Sequence, residues 1–505
     1  MSRYGDDDGV ALRDLTSDGI GHGHQGDSRG AHSIDDTDLH EHASSPPPEP
    51  SQARKREARQ RALVLVGSAL SQLPIWGFAM NYGVFQEFYT STLGTPALPL
   101  TGSPSATGII GTTSNGVLYL SMPPLFLLLT TRHRSLARRR RASALAGAAL
   151  CCAAFLLSSA ARAVWHLVAA QGVLAALGAA LLYSPLTLAL GEWYRGRNRA
   201  VAYGLILSCK NVVGSACPFL LRALLDRFGF RATMCIWTGV TAVTSVVAIA
   251  LVPTHPAQLE LAREDDDNGR ASRRRPPMHF LRHTTFYVYA VAIMLQSSGY
   301  GIPQTYLNTY AHDVAHLSQT TATLLLTVFN GPGIVASLFF GYLTDNKRFP
   351  LSATSTTAIA GVSSALSALL FWGLTSPQSG SMALLVLFSV TFGFFAGGYS
   401  ATWGGVVNEL EGEAARRNEA IDTGLVYGLL NGARGVGYVG GGLAGLPLLK
   451  VGGGALSAAS NFGYGTSYGP LIIFTGLSSM FGGLGLLWRG VTKLSRHRMA
   501  ASPAV

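Results

Sequence analysis

Twelve apolar runs follow one another along this chain of 505 residues. They lie near 62–90, 107–130, 142–160, 164–190, 200–225, 232–252, 284–311, 318–343, 351–373, 382–409, 421–449 and 468–489. A helix of about 20 residues crosses ~30 Å of hydrocarbon. Inside a bilayer the backbone must satisfy its own hydrogen bonds, so runs of this length dictate helices. Only 13% of the residues are charged, against about a quarter in soluble domains. The expected fold class is therefore an all-α membrane protein, with twelve transmembrane helices in two pseudo-symmetric six-helix bundles.

The net charge of +11 is distributed in a pattern. Basic residues cluster at Arg54 to Arg61, at Arg132 to Arg141, at Arg195 to Arg199, and at Arg263 to Arg282. They recur at Lys347 and Arg348, at Arg416 and Arg417, and at Lys493 to Arg498. With twelve spans, every one of these clusters falls on one face. Arg222, Arg227 and Arg231 are the exception. The positive-inside rule then places both termini in the cytoplasm. No basic helix carries interleaved aromatics, so a nucleic-acid partner is excluded. The five cysteines all lie inside apolar runs and read as small buried hydrophobes.

Composition also sets the domain boundaries. Residues 1–61 are rich in Asp, Ser, His, Gly and Pro and have no apolar period, which reads as a disordered cytoplasmic tail. The first bundle covers 62–252 and the second 284–490. Between them, 253–283 reads as a solvated cytoplasmic linker with Glu264 to Asp267 followed by Arg273 to Arg275; 491–505 is a short tail.

The two halves repeat each other. RNRAVAYGLILSCKNVVG begins at Arg197 and RNEAIDTGLVYGLLNGARGVG at Arg417, 220 positions later. Tyr82-Gly83-x-x-Gln86 returns as Tyr300-Gly301-x-x-Gln304, and Asn115-Gly116 as Asn330-Gly331. Parallel repeats with polar residues at their interface are a transporter architecture. Each copy of the first pair buries a cation, Lys210 or Arg434. Charge at mid-membrane costs about 3 kcal/mol and usually marks function. The carboxylates Glu87, Glu409 and Asp422 lie near span ends, so an anionic substrate would supply the missing charge. Snorkelling, or an ion pair that only stabilises the bundle, is the competing account of these cations. Gln86, Gln304, Tyr82, Tyr300, Asn81, Asn330 and Asn431 could line a path or make interhelical hydrogen bonds. Gly331-Pro332-Gly333 would break the eighth span, and the glycines from Gly435 to Gly442 would permit close helix packing.

Several stretches resemble the major facilitator superfamily, and within it the fungal monocarboxylate-transporter-like branch. They are WGFAMNYGVFQEFY (76–89), GIIGTTSNGVLYLSMP (108–123), GEWYRGRNRAVAYGLILSCKNVVG (191–214), LLDRFGFRATM (224–234) and GGYSATWGGVVNEL (397–410). The resemblance implies that superfamily's twelve-helix fold and secondary transport by alternating access. Asp345 with Lys347 and Arg348 is similar to its loop motif, which implies a gate on the inner face. In the first half Thr130 stands where the acid would be. The charged residues of the carriers' first and eighth spans have no match here, so proton symport of the lactate type does not carry over.

The expected function is secondary transport of a small organic solute, a carboxylate-type anion, with Lys210, Arg434, Tyr82, Gln86, Tyr300, Gln304 and Asn330 binding it. The alternatives are a carrier or exporter of a neutral or amphipathic metabolite, and a non-transporting membrane sensor. No catalytic residue, cofactor or metal is expected. The expected partners are the substrate, with a coupled proton as an option, and the lipid bilayer, around a monomer. The plasma membrane and an internal, vacuolar-type membrane both fit.

Overall fold

The structure is a computed structural model that describes residues 50–96, 98–102, 104–131, 136–194, 198–256, 276–345, 351–376, 381–455 and 462–501. Among these residues every regular element is a helix. Span 1 is bent by 45° between Arg54–Trp76 and Ala79–Thr92. Asn81 donates to the Gly77 carbonyl at 2.7 Å, which satisfies an acceptor that the bend would leave bare. Span 2 is Pro104–Thr130, span 3 Leu136–Ser159 and span 4 Val164–Trp193. Spans 5 and 6 form one element, Arg199–Leu251, interrupted at Gly229. Gly229 has φ 73° and ψ 176°, a region open essentially to glycine alone, and it reverses the chain without a loop.

Span 7 is Thr284–Asp313, span 8 Gln319–Asp345 and span 9 Ala353–Trp372. Span 10 joins Ser381–Tyr399 to Trp403–Arg416 through a 3-10 turn at Ser400–Thr402. Span 11 is Thr423–Ala455, and span 12 runs from Gly469 to Ala501 with a 3-10 turn at Phe481–Gly483. The chain is thus the all-α membrane fold that the apolar runs indicate.

Some boundaries move. Residues 50–61, read as tail, begin the first helix, and 491–501 continue the last one. His279–Arg282, read as linker, form a turn whose Phe280 is buried against Phe286. Span 8 does not break: Pro332 lies inside a continuous helix, as bilayer helices tolerate. Most of the first tail and of the linker lies outside the described residues.

Among the described residues, seven helices are long and apolar enough to cross a bilayer, or eight when the bent pair counts as one. Spans 2, 7 and 11 fall short of that measure because Gly, Ser, Thr, Asn and Tyr dilute their apolar character. Span 11 packs against both of the others, and span 5 against span 8, so the halves meet along two helix pairs. Gly437 and Gly441, one turn apart, lie so close to the span 7 backbone at Met294 and Ser298 that a side chain would collide with its carbonyls. The glycine-rich stretch therefore serves packing. All five cysteines are free; Cys235 is exposed, unlike the buried setting expected for it.

Candidate functional site

The centre of the molecule is built from two cations and a run of aromatic rings. Lys210 and Arg434 are 6% and 4% exposed. Neither has a carboxylate within salt-bridge distance among the described residues. The Lys210 ammonium lies 4.6 Å from the centroid of Trp76, the last residue before the bend in span 1. Trp76 in turn contacts Tyr119 of span 2 at 5.4 Å and Tyr183 of span 4 at 6.0 Å.

Arg434 is caged. Its guanidinium carbon lies 5.3 to 5.5 Å from four ring centroids: Tyr119, Tyr300, Trp403 and Tyr438. The 3-10 turn in span 10 presents Ser400, whose Oγ accepts from Nη1, and Trp403 follows directly. Nη2 donates to the Tyr438 hydroxyl at 3.3 Å, while Nε is buried without a partner. A desolvated cation–π contact is worth about 2 kcal/mol. Several such faces offset much of the cost of holding charge in a bilayer. A chain of contacts joins the two cations: Lys210 to Trp76, Trp76 to Tyr119, and Tyr119 to Arg434. Spans 1, 2, 5, 7, 10 and 11 thus meet at one polar centre drawn from both halves.

The other expected site residues divide. Tyr300 belongs to the cage. Tyr82 does not: its hydroxyl donates to the Thr107 carbonyl and ties span 1 to span 2. Gln86 and Gln304 are half-buried, with Gln86 close to Gly108 of span 2. Asn330 donates to Leu326 O at 3.1 Å one turn back, as its repeat partner Asn115 does to Gly111 O at 3.3 Å. Its Oδ1 is left without a donor beside Gly214 of span 5. Asn330 Nδ2 also reaches Gly214 O of span 5 at 3.5 Å, the interhelical bond expected of it, whereas Asn81 and Asn431 bond within their own helices. Trp76, Tyr119, Trp403 and Tyr438 are additions. Their signal was available: aromatics favour the two membrane interfaces, and these stand at mid-span.

At the face that carries the basic clusters the halves are also joined. The carboxylate of Asp345, at the end of span 8, accepts from the backbone N–H of Val201 at 2.9 Å. That N–H belongs to the first turn of span 5, where a helix terminus favours an anion. Arg199 donates to Glu411 at 2.9 Å and to Asn408 at 3.3 Å. Lys347 and Arg348 lie outside the described residues. In the first half Arg140 takes both oxygens of Glu192 at 2.9 Å and donates to Leu129 O, joining spans 2, 3 and 4. Thr130 stands beside it, its hydroxyl unpaired. A cavity of 460 Å³ lies here between the halves, lined by Arg140, Glu192, Arg199 and Asp422 among others. Burial raises the Asp422 carboxyl above its ordinary range, against a hydrogen bond from the Leu425 N–H.

Residues 64–442 match the family model for the major facilitator superfamily. The chain belongs to the major facilitator superfamily. It is a member of a transporter family and not an enzyme. A major facilitator transporter of Gibberella moniliformis is 26% identical over 62% of this chain and 66% of its own length. The transporter pynF of Aspergillus niger is 25% identical over 86% of this chain and 88% of its own. Human monocarboxylate transporter 12 is 27% identical over 52% of this chain and 54% of its own. The match therefore spans about two thirds of the first of these relatives, and about half of the human carrier.

Proposed function

We propose that this major facilitator carries a small organic anion, a carboxylate, across its membrane by alternating access. One observation carries the reading: two buried cations, one from each half, share an aromatic centre with no carboxylate at salt-bridge distance among the described residues. Arg434 offers a planar fork for a carboxylate, and Lys210 a compact point charge. Tyr119 links them, touching Trp76 on the Lys210 side and lying against Arg434. Contacts between the halves at Asp345 and Arg199 hold one end of the path shut. Release of those contacts opens that end while the opposite end closes. On this reading both termini are cytoplasmic and the protein works as a monomer. The name of the human relative, a monocarboxylate carrier, agrees with the substrate class.

A second reading, a carrier of a neutral metabolite, draws on the four rings that already serve Arg434. Uptake into proteoliposomes separates the two. Carboxylates should enter about tenfold faster than their uncharged amides, and a pH gradient shows whether a proton accompanies them. Equal rates for acid and amide would favour the neutral carrier. Reporter fusions after residues 262 and 500 should both report cytoplasm; opposite answers would overturn the topology.

A further inference from the structure

A second polar site lies away from the central path. A cavity of 700 Å³ opens among spans 7, 9, 10 and 12, at the face that carries the basic clusters. Arg416, Arg417, Arg489 and Lys493 line it, against the two acids Glu409 and Glu413. Both acids are taken. Glu409 pairs with Arg489 and accepts from the Tyr289 hydroxyl at 3.0 Å, and Glu413 pairs with Arg417 at 2.8 Å. Arg416 and Lys493 have no carboxylate within salt-bridge distance among the described residues. Four cations against two acids leave a positive excess of two in one concavity.

The mouth of this cavity meets the bilayer. Trp488 lines it and is 43% exposed. Leu487 and Val491 beside it are exposed apolar residues of span 12. An exposed Trp next to such residues marks the level where headgroups give way to acyl chains. A basic hollow between transmembrane helices at that depth has the chemistry of an anionic phospholipid site. Acyl chains would lie along span 12 while the phosphate meets the unpaired cations. We propose that this cavity binds the headgroup of an anionic phospholipid, with Arg416 and Lys493 as the phosphate contacts and Trp488 at the glycerol level. The inference stands whether or not the carried solute is an anion.

Native mass spectrometry of the full chain in neutral detergent tests it. The probes are phosphatidylinositol, phosphatidylcholine and free inositol phosphate. The wild type should retain phosphatidylinositol about tenfold better than phosphatidylcholine, a difference typical of a few charge-assisted contacts. Arg416→Gln with Lys493→Gln should abolish the preference at an unchanged melting temperature, because both side chains are exposed. Lys55→Gln with Arg59→Gln, at another basic cluster, should leave it intact. Equal loss in the two double variants would reduce the effect to diffuse surface charge and overturn the proposal. Free inositol phosphate that binds as tightly as the lipid would overturn the lipid as occupant.

Discussion

Lys210 and Arg434 occupy related places in the two repeats, yet the protein treats their charges differently. Arg434 has four ring faces, a serine and a tyrosine hydroxyl. Lys210 has one ring, Trp76. The first charge is largely supported by the protein itself, and the second is left to be supported by something else. Arg434 stands one helical turn beyond Leu430, the repeat equivalent of Lys210, so the two halves place their cations at different depths and divide the work. Arg434 holds the centre together and offers part of its fork, while Lys210 waits for a counter-charge.

Substitutions can break or sharpen this contrast. The largest effect is expected at Arg434→Gln. It strips Ser400 and Tyr438 of their donor and empties the cage, at ~1.5–3 kcal/mol for the charge-assisted contacts. Uptake should fall by about a hundredfold and the melting temperature by several degrees; unaltered melting would show that the cage is not structural. Lys210→Gln should raise the half-saturation for carboxylates about tenfold. Its melting temperature should hold or rise, since an unpaired buried charge is gone. A drop in melting with equal loss for acids and amides would assign Lys210 the same structural part as Arg434.

Trp76→Leu removes the single ring beneath Lys210 and should raise half-saturation about threefold, the scale of one cation–π contact. An effect as large as that of Lys210→Gln would mean that the ring itself binds substrate. Asp345→Asn should be mildest. It retains an acceptor for Val201 N–H but loses the charge at the helix terminus, about 0.3–1 kcal/mol. A melting shift near 1 °C is expected, and transport that stays normal would remove Asp345 from the gate.

Much of this was legible in the chain. Apolar length gives the spans, because a bilayer leaves the backbone few options, and the two cations stand out because charge at that depth is costly. The mid-span aromatics were visible in the sequence, but their assembly into a cage was not. A tyrosine in an apolar run looks alike whether it faces lipid or a guanidinium, and only the crossing of four spans brings Tyr119, Tyr300, Trp403 and Tyr438 to one point. Tyr82 misled for the converse reason. Its repeat partner joins the cage, while Tyr82 itself is spent on the Thr107 carbonyl. Nor does periodicity reveal that Pro332 leaves its helix intact.

The diluted apolarity of spans 2, 7 and 11 bears on how the protein is made. A segment that gains little from lipid inserts poorly by itself during synthesis. Span 2 leaves the ribosome more than 150 residues before span 7 and about 300 before span 11, and both span 4 and span 11 pack against it. Span 4 can dock on Pro104–Thr130 within the first half, while the face that meets span 11 stays uncovered until the second half arrives. Chains truncated before Thr423 should leave that face of span 2 bare and should persist in the membrane for less time than the full chain.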